Sequence, residues 1–262
     1  MILKLFTALL PLAIFSNAVL FPDQHKEEKY AFPFNTNSPD ASFELPNDLF
    51  EVSGLSVSED GQHLVAIQDE NGIIYRINPE TGAVEHQFEF WKDGDYEGVE
   101  VVGNDIYVVK STGTIYKIKN PDKENQEVIK YKYFLDKDND VEGLAYDAKS
   151  SRLLLACKAK AGTGEHYNQK KGIYAFDYSG ETMDTIPAFT VSLVDIIAYL
   201  KNNPDIPNYD KLEEFFIRDD GKFKFSPSAI AIHPFTGDIY ITSSVGKLMV
   251  VLNAEGQLLY IE

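Results

Sequence analysis

The sequence DGDYEGV at residues 93–99 is followed by DNDVEGL at residues 138–144, 45 positions later. Both copies have an acidic residue at the first and third positions and end in Glu, Gly and an aliphatic residue. Two interpretations compete. Extended to DKDNDVEGLAYD (residues 136–147), the second copy looks like a calcium-binding loop; alternatively, both copies mark the same structural position in a repeat.

The calcium-loop interpretation fails at two positions. An EF-hand loop needs a glycine at its sharp turn and a glutamate as its last ligand, whereas this segment has Val141 and Asp147 there. Alternating apolar runs, which predict strands rather than helices, flank the segment. The sequence therefore favours a repeat.

Four segments of the chain show the same order of features. They begin at Glu51, Asp95, Asp140 and Ser226. In each segment a small residue is followed by an aliphatic one, at Gly54-Leu55, Gly98-Val99, Gly143-Leu144 and Ala229-Ile230. A turn containing Gly, Asn or Asp and further alternating runs follow. Four short antiparallel strands that recur about every 45 residues are typical of β-propeller blades, so we predict an all-β propeller with four recognisable blades.

One segment, about residues 192–220, interrupts the repeat. Ser192 is a suitable helix N-cap, and apolar residues follow it at helical spacing, namely Leu193, Ile196, Ile197 and Leu200. Asn-Asn-Pro at residues 202–204 is expected to end this helix, and a second helix is predicted over residues 211–217 with Asp210 as its cap. We predict a helical insertion whose apolar stripe packs on the blades.

Residues 1–18 have the features of a cleaved signal peptide. Lys4 precedes an apolar run at residues 5–15 that is too short to cross a bilayer, and small residues follow it. We interpret residues 19–39 as a linker and residues 40–262 as the propeller domain. No later apolar run has the length of a membrane span, so we expect an exported protein without a stable membrane span after signal removal.

The chain is acidic, with a formal net charge of −17. A strongly negative exported protein is not expected to bind nucleic acid or anionic lipid surfaces, because like charges repel. It can attract cations, although acidity also serves solubility alone. The single cysteine, Cys157, lies in an apolar strand and is expected to be a buried, inert thiol.

The acidic residues of the repeat are predicted to converge. The first strand of each propeller blade lines the central channel, so that equivalent residues of successive blades form a ring. The ring positions are Glu51 and Ser53, Asp95 and Glu97, Asp140 and Glu142, and Ser226 and Ser228. Converging carboxylates repel one another, and a hard cation such as calcium can relieve the repulsion with an all-oxygen shell. The alternative is a hydrated channel mouth whose carboxylates bind backbone amides.

Four of these phrases resemble the blade starts of the SdiA-regulated family: EVSGLS (51–56), DYEGVE (95–100), DVEGLAYD (140–147) and FSPSAIAIHPFTGDIYI (225–241). The resemblance covers about residues 40–262. It implies a five-bladed propeller of the bacterial envelope or periplasm, related to phytase-like and lactonase-like propellers and linked to calcium-dependent physiology, with no firmly assigned activity. Carried over position by position, the acidic residues of these phrases are Glu51, Asp95, Glu97, Asp140 and Glu142, which we predict as the ligands of a calcium ion.

Members of that family carry a further blade, whereas this chain reaches Glu262 just after its fourth. We therefore expect either that a last blade is missing from this chain or that a strand near residues 41–45 closes the ring in an unusual way. An open ring would expose strand edges.

Two classes of function follow from these features. The first is a non-catalytic envelope protein that binds calcium, another ligand or a protein partner through its acidic face. The alternative is a metal-dependent hydrolase of the lactonase, esterase or phytase kind. Ser53 and Ser228 are poor nucleophiles because no histidine occupies an equivalent ring position. Phosphate binding favours clustered cations, and Lys110 and Lys158 are the cationic residues predicted nearest the channel. We assign no catalytic residue.

Overall fold

The computed structural model describes residues 30–262, apart from residue 37 and residues 219–221. The predicted signal peptide at residues 1–18 lies outside the described part. The described residues form seventeen strands in four antiparallel sheets, with few helices. The prediction of an all-β fold is confirmed.

Each sheet is a meander of consecutive strands. Sheet A consists of β1 (Val52–Val57), β2 (Leu64–Gln68), β3 (Ile73–Ile77) and β4 (Val84–Glu89). Sheet B consists of β5 (Tyr96–Val102), β6 (Asp105–Lys110), β7 (Ile115–Lys119) and β8 (Glu127–Tyr131). Sheet C consists of β9 (Val141–Asp147), β10 (Arg152–Cys157), β11 (Lys170–Asp177), β12 (Thr182–Met183) and β13 (Phe189–Ser192), and both β12 and β13 pair with β11. Sheet D consists of β14 (Pro227–Ile232), β15 (Ile239–Ser243), β16 (Leu248–Leu252) and β17 (Leu258–Ile261).

The four sheets are arranged as blades around a central channel. The first strand of each sheet is innermost, with β1 beside β5, β5 beside β9 and β9 beside β14. One backbone hydrogen bond recurs in all four blades, from the N–H of Asp69, Ser111, Lys158 and Ser244 to the C=O of Glu51, Asp95, Asp140 and Ser226 respectively. The repeat is therefore confirmed, and the structure is a four-bladed β-propeller. A fifth blade stays a prediction.

The Gly-aliphatic pairs of the sequence pack successive blades together. A Cβ on Gly98 would lie 2.8 Å from the backbone nitrogen of Leu144, and a Cβ on Gly54 would lie 2.8 Å from that of Val99. At Gly143 the corresponding distance to the nitrogen of Ile230 is 3.0 Å. Only glycine allows such close approach. The aliphatic residues on which these glycines pack are buried, with 1% of Val99, 5% of Leu144 and 7% of Ile230 exposed.

The junction between sheets D and A is different. Leu55 of β1, the equivalent of those three aliphatic residues, is 58% exposed, and Ala229 of β14 is exposed as well. Sheets A and D therefore do not pack inner strand against inner strand as the other neighbours do. We call this the open junction, and the other three the closed junctions.

The N-terminal segment, residues 32–49, contacts both sides of the open junction. The ring of Phe32 stacks on Tyr260 of sheet D at a centroid distance of 4.9 Å, and Phe43 lies against Gly82 of sheet A. Leu49 is buried in a cluster with residues of sheet A. The compact unit extends from Phe32 to Glu262. Residues 41–45 form no strand, so contact with both sheets is made by side chains.

The helical insertion is confirmed and its second helix begins earlier than predicted. Helix α1 (Leu193–Asn202) is capped by Ser192, whose hydroxyl accepts the N–H of Asp195 at 3.1 Å. Helix α2 (Tyr209–Glu213) begins two residues before the predicted start, after Asn208 rather than Asp210. Asn208 has a φ of 60°, a conformation that asparagine adopts readily.

The apolar stripe of the insertion packs on the blades as predicted. Ile196, Leu200, Leu212 and Phe216 share a buried cluster with residues of sheets C and D. Within the described part of the chain, no helix has the length and apolar character of a membrane span.

Candidate ligand site at the channel mouth

A β-bulge occupies the same position in each inner strand. The pairing register shifts by one residue at each start of β1, β5, β9 and β14, and the extra residues are Ser53, Glu97, Glu142 and Ser228. A bulge re-aims the side chain of the extra residue. The glutamate of the repeated phrase, Glu97 or Glu142, is therefore the bulge residue at the channel mouth. The sequence pattern alone did not indicate these bulges.

Glu97 is the most perturbed carboxyl group at the mouth. Its pKa is raised to about 8, first by burial and then by the negative charges of Glu142, Asp95 and Asp69. At neutral pH this carboxyl group therefore holds its proton. We call Asp69 of sheet A, Asp95 and Glu97 of sheet B and Glu142 of sheet C the carboxylate cluster. The closed junctions bring the loops that carry these residues together.

One lysine partly balances the cluster. The Nζ of Lys158 lies 2.6 Å from Oε1 of Glu142 and 3.9 Å from Oδ2 of Asp140. The hydrogen bond to Glu142 is the main reason why the pKa of Lys158 is raised. Asp95 accepts a short hydrogen bond from the hydroxyl of Ser111. The Oδ1 atom of Asp69 is buried and has no hydrogen-bond partner among the described residues.

The structure brings four of the five predicted metal ligands together. The charges of Asp140, Glu142 and Glu97 all raise the pKa of Lys158. The charge of Asp95 raises the pKa of Glu97. The fifth, Glu51, precedes β1 and is exposed, and it is not among the charges that raise the pKa of Glu97.

The negative charge of Asp69, rather than that of Glu51, raises the pKa of Glu97. Asp69 directly follows β2. Its carbonyl accepts the N–H of Tyr96 at 2.9 Å, which fixes the turn beside the start of β5. The signal that points to it is its position, directly after the second strand, where Ser111 and Lys158 lie in the next two blades.

The carboxyl groups of Asp69, Asp95, Glu97, Asp140 and Glu142 form a set of possible oxygen donors for a metal ion. Its oxygens are of the kind that calcium prefers. However, no three His, Cys, Asp or Glu side chains among the described residues are grouped so as to hold a metal ion, and Lys158 already engages Glu142. Calcium coordination by these residues stays a prediction.

A cavity of about 470 Å³ lies along the inner strands and extends through the open junction. Its walls are mostly apolar, and Glu97 and Glu142 are the acidic residues that line it. Leu55, Leu64 and Ile77 contribute from sheet A, and Ala231 and Tyr240 contribute from sheet D. Phe43 and Leu45 of the N-terminal segment complete the wall. The site thus combines a charged end with an apolar body.

The hydroxyl groups at the remaining bulges are held by other partners. Ser53 donates to the carbonyl of Tyr96 at 2.7 Å, and Ser228 lies 3.1 Å from the hydroxyl of Thr242. His233 accepts the N–H of Thr236 at 3.2 Å and closes a turn. Cys157 is fully buried, and burial raises the pKa of its thiol to about 12, so that the predicted inert thiol is confirmed.

Glu100 is a structural carboxyl group that the sequence analysis missed. Its Oε2 accepts the hydroxyl of Ser56 at 2.7 Å, and its Oε1 accepts the N–H of Tyr146 at 3.2 Å. It therefore joins the inner strands of sheets A, B and C. Burial raises its pKa to about 7. The available signal is a glutamate at a position where the other blades have Ser56, Ala145 and Ala231.

The blades, the channel and the ring of bulges define the class of protein as a β-propeller. Within that class, residues 44–161 match the model of the SdiA-regulated family. The matched segment includes sheets A and B and the first two strands of sheet C. Over this segment the chain is similar to the SdiA-regulated family, and the resemblance predicted from its blade phrases is confirmed there.

Similarities to solved structures are weak. They include the β-propeller domain of Cps50 (Swd1) from Myceliophteria thermophila, at 8% identity and a TM-score of 0.43 over 77% of this chain and 52% of that chain. Glutaminyl cyclase from Myxococcus xanthus matches at 10% identity and a TM-score of 0.47, over 76% of this chain and 70% of that chain. Hydrazine synthase from Kuenenia stuttgartiensis matches at 11% identity and a TM-score of 0.46, over 87% of this chain and 52% of that chain.

This chain spans about half the length of the first and third of these. Such similarities carry no information about function. A comparison with curated proteins finds no match to the chain.

Proposed function

We propose that this chain is a non-catalytic binding protein of the bacterial cell envelope that holds a cationic ligand at the channel mouth. The observation that carries the proposal is the uncompensated charge there. Asp69, Asp95 and Glu142 lie close enough to Glu97 for their negative charges to raise its pKa, and the ammonium group of Lys158 is hydrogen-bonded to one of these three, Glu142. A cation placed against Glu97 offsets the burial and the repulsion that together raise its pKa and keep its proton bound.

Export of the protein is part of the proposal. It is supported by the apolar run at residues 5–15 and the small residues that follow it. N-terminal sequencing of the protein recovered from the envelope fraction tests it. A mature protein that begins near residue 19 is the expected result, and an intact Met1 would contradict export by cleavage.

Calcium is the inorganic cation to test first. The residues that would hold it are Asp69, Asp95 and Glu97, and the free Oδ1 atom of Asp69 supports a ligand on that side. The ion would supply positive charge to the cluster. Because Glu97 must lose its proton to bind a metal, calcium affinity is expected to rise between pH 6.5 and pH 8.5, around its pKa of about 8.

Titration calorimetry with calcium chloride at pH 8.5 tests the proposal on the mature protein. Glu97→Gln and Glu142→Gln remove one charge each, and Glu255→Gln, in the turn between β16 and β17, is the matched control. We expect saturable binding that falls at least roughly tenfold in Glu97→Gln, as for the loss of a charged ligand, and is unchanged in Glu255→Gln. Methylammonium chloride is titrated in parallel. Binding of neither cation would overturn the proposal.

A metal-dependent hydrolase is the second candidate. One observation favours it: a carboxyl group whose pKa is about 8 can transfer protons near neutral pH, and it lines a cavity. Incubation with lactones and phosphate monoesters, with and without calcium, tests the candidate. Turnover by the wild-type protein that Glu97→Gln abolishes would support hydrolysis, and turnover equal in both proteins would contradict it.

A further inference from the structure

We propose that the cavity binds an amphiphilic organic cation, with its ammonium group at Glu97 and Glu142 and its apolar body along the open junction. The inference rests on the proposed function, because it names the class of ligand that the channel mouth would hold. The ligand class is an alkylammonium compound rather than a metal ion or a neutral lipid.

The shape and lining of the cavity support an apolar body. The volume of about 470 Å³ lies in the range of sites for small organic ligands, which are mainly apolar with a few polar groups. Leu55 supplies an aliphatic side chain that is 58% exposed in the absence of a ligand. Its equivalents at the closed junctions are buried by the preceding blade, so a ligand body at Leu55 would take the place of that blade.

The charges of the cavity select a cation. Both acidic lining residues, Glu97 and Glu142, belong to the carboxylate cluster, which repels an anionic head group. An ammonium group needs two or three acceptors, whereas calcium needs six to eight oxygens. The described residues offer no group of three metal ligands, and Glu142 already binds one ammonium group, that of Lys158, at 2.6 Å. Carboxyl groups beside an apolar wall therefore suit an ammonium group better than a calcium ion.

A chain-length series tests the inference directly. n-Butylamine and n-octylamine, both cationic at pH 7, are titrated by calorimetry below the concentration at which they self-associate. Each methylene buried against the apolar wall is expected to raise the affinity roughly fourfold. n-Octanol, which has the same tail without the charge, is expected to bind at least about tenfold more weakly, since a bond to a charged group is lost.

Two variants of β1 locate the tail. Leu55→Ser changes a residue that lines the cavity, and Val57→Ser is the matched control on the same strand, because Val57 is 55% exposed and does not line it. We expect Leu55→Ser to weaken n-octylamine at least about fivefold and leave methylammonium unchanged. Val57→Ser should bind both as the wild type does.

The outcomes separate the inference from the proposed function. Equal affinities for n-butylamine and n-octylamine, with methylammonium or calcium still bound, would overturn the inference and retain the channel-mouth site. Loss of n-octylamine binding to the same extent in Leu55→Ser and Val57→Ser would also overturn it, because the tail would then not lie in the cavity. Absence of binding by every cation would overturn both.

Discussion

The closed junctions and the open junction contain the same sequence pattern and differ in burial. Val99, Leu144 and Leu55 each follow a glycine at the same place in an inner strand, yet the first two are buried and Leu55 is 58% exposed. What differs is the neighbour. At a closed junction the preceding blade presents a glycine, whereas at the open junction no inner strand packs on Leu55. A repeated phrase therefore predicts a position in the blade without predicting its burial.

The charges at the mouth follow the same division. The bulge residues are glutamates in sheets B and C, between closed junctions, and serines in sheets A and D, on either side of the open junction. Carboxylates are thus forced together only where blades are in close contact. The apolar cavity and the acidic cluster meet because the open junction begins where the ring of glutamates ends.

The largest expected effect is that of a side chain added at a closed junction. Gly98→Ala places a Cβ 2.8 Å from the backbone nitrogen of Leu144, so blades B and C must move apart. We expect a loss of about 3 kcal/mol in the free energy of unfolding, measured by urea denaturation. Ala229→Val, at the equivalent position of the open junction, should change stability by less than about 0.5 kcal/mol. Equal losses in the two variants would mean that the open junction is packed as tightly as the closed ones.

Loss of the carboxyl group that joins three blades should have the next largest effect. Glu100→Ala leaves the N–H of Tyr146 and the hydroxyl of Ser56 without their acceptor. We expect a loss of about 2 kcal/mol by urea denaturation at pH 6. Glu100→Gln retains an acceptor for Tyr146 and should recover most of the loss. If it recovers none, the bond from Ser56, which the amide nitrogen of glutamine does not accept, supports these junctions.

The raised pKa of Glu97 predicts how stability depends on pH. The folded protein binds this proton more tightly than the unfolded chain, since the pKa rises from 4.5 to about 8 on folding. Stability contributed by the proton is therefore complete below about pH 4.5 and is lost as the pH rises through 8. Because solvent screens part of the effect, we expect Glu97→Gln to exceed the wild type by only about 1–2 kcal/mol at pH 9.

At pH 4 that difference should vanish, and urea denaturation at the two pH values measures it. Ser53→Ala, which changes the bulge of sheet A beside the open junction, should leave the pH dependence as it is in the wild type. A Glu97→Gln variant that loses stability with rising pH as the wild type does would contradict the assignment.

The smallest effect is expected for the segment that covers the open junction. Phe32→Ala removes the stacking on Tyr260, which is worth about 1 kcal/mol. The loss should be local, with faster hydrogen exchange and proteolysis within residues 32–49 and little change in the blades. Phe235→Ala, which truncates an exposed ring on a turn of sheet D, is the control. Faster exchange in sheets A and D alike would mean that the segment holds the blades in place.

Much of the architecture could be predicted because it depends on local periodicity. Alternation of apolar residues and the Gly-aliphatic pairs indicated four blades, and Ser192 with its apolar spacing indicated α1. The predicted start of α2 was wrong. The helix begins after Asn208, which has a left-handed backbone conformation, and Asp210 lies in its first turn instead of at its cap. Ring positions were predicted for Glu97 and Glu142, but their bulges depend on pairing with β6 and β10.

By itself, the sequence determined the propeller, the order of its blades and the acidic residues that recur in phase, because these follow from periodicity and turn chemistry along the chain. Only the tertiary structure decided which carboxylates raise one another's pKa and that Asp69 lies beside Glu97. It also decided that the positive charge of Lys158 lies beside these carboxylates. The open junction and its cavity were likewise decided in three dimensions. The reason is physical: burial and pKa depend on distances between blades, which residues far apart in sequence set together.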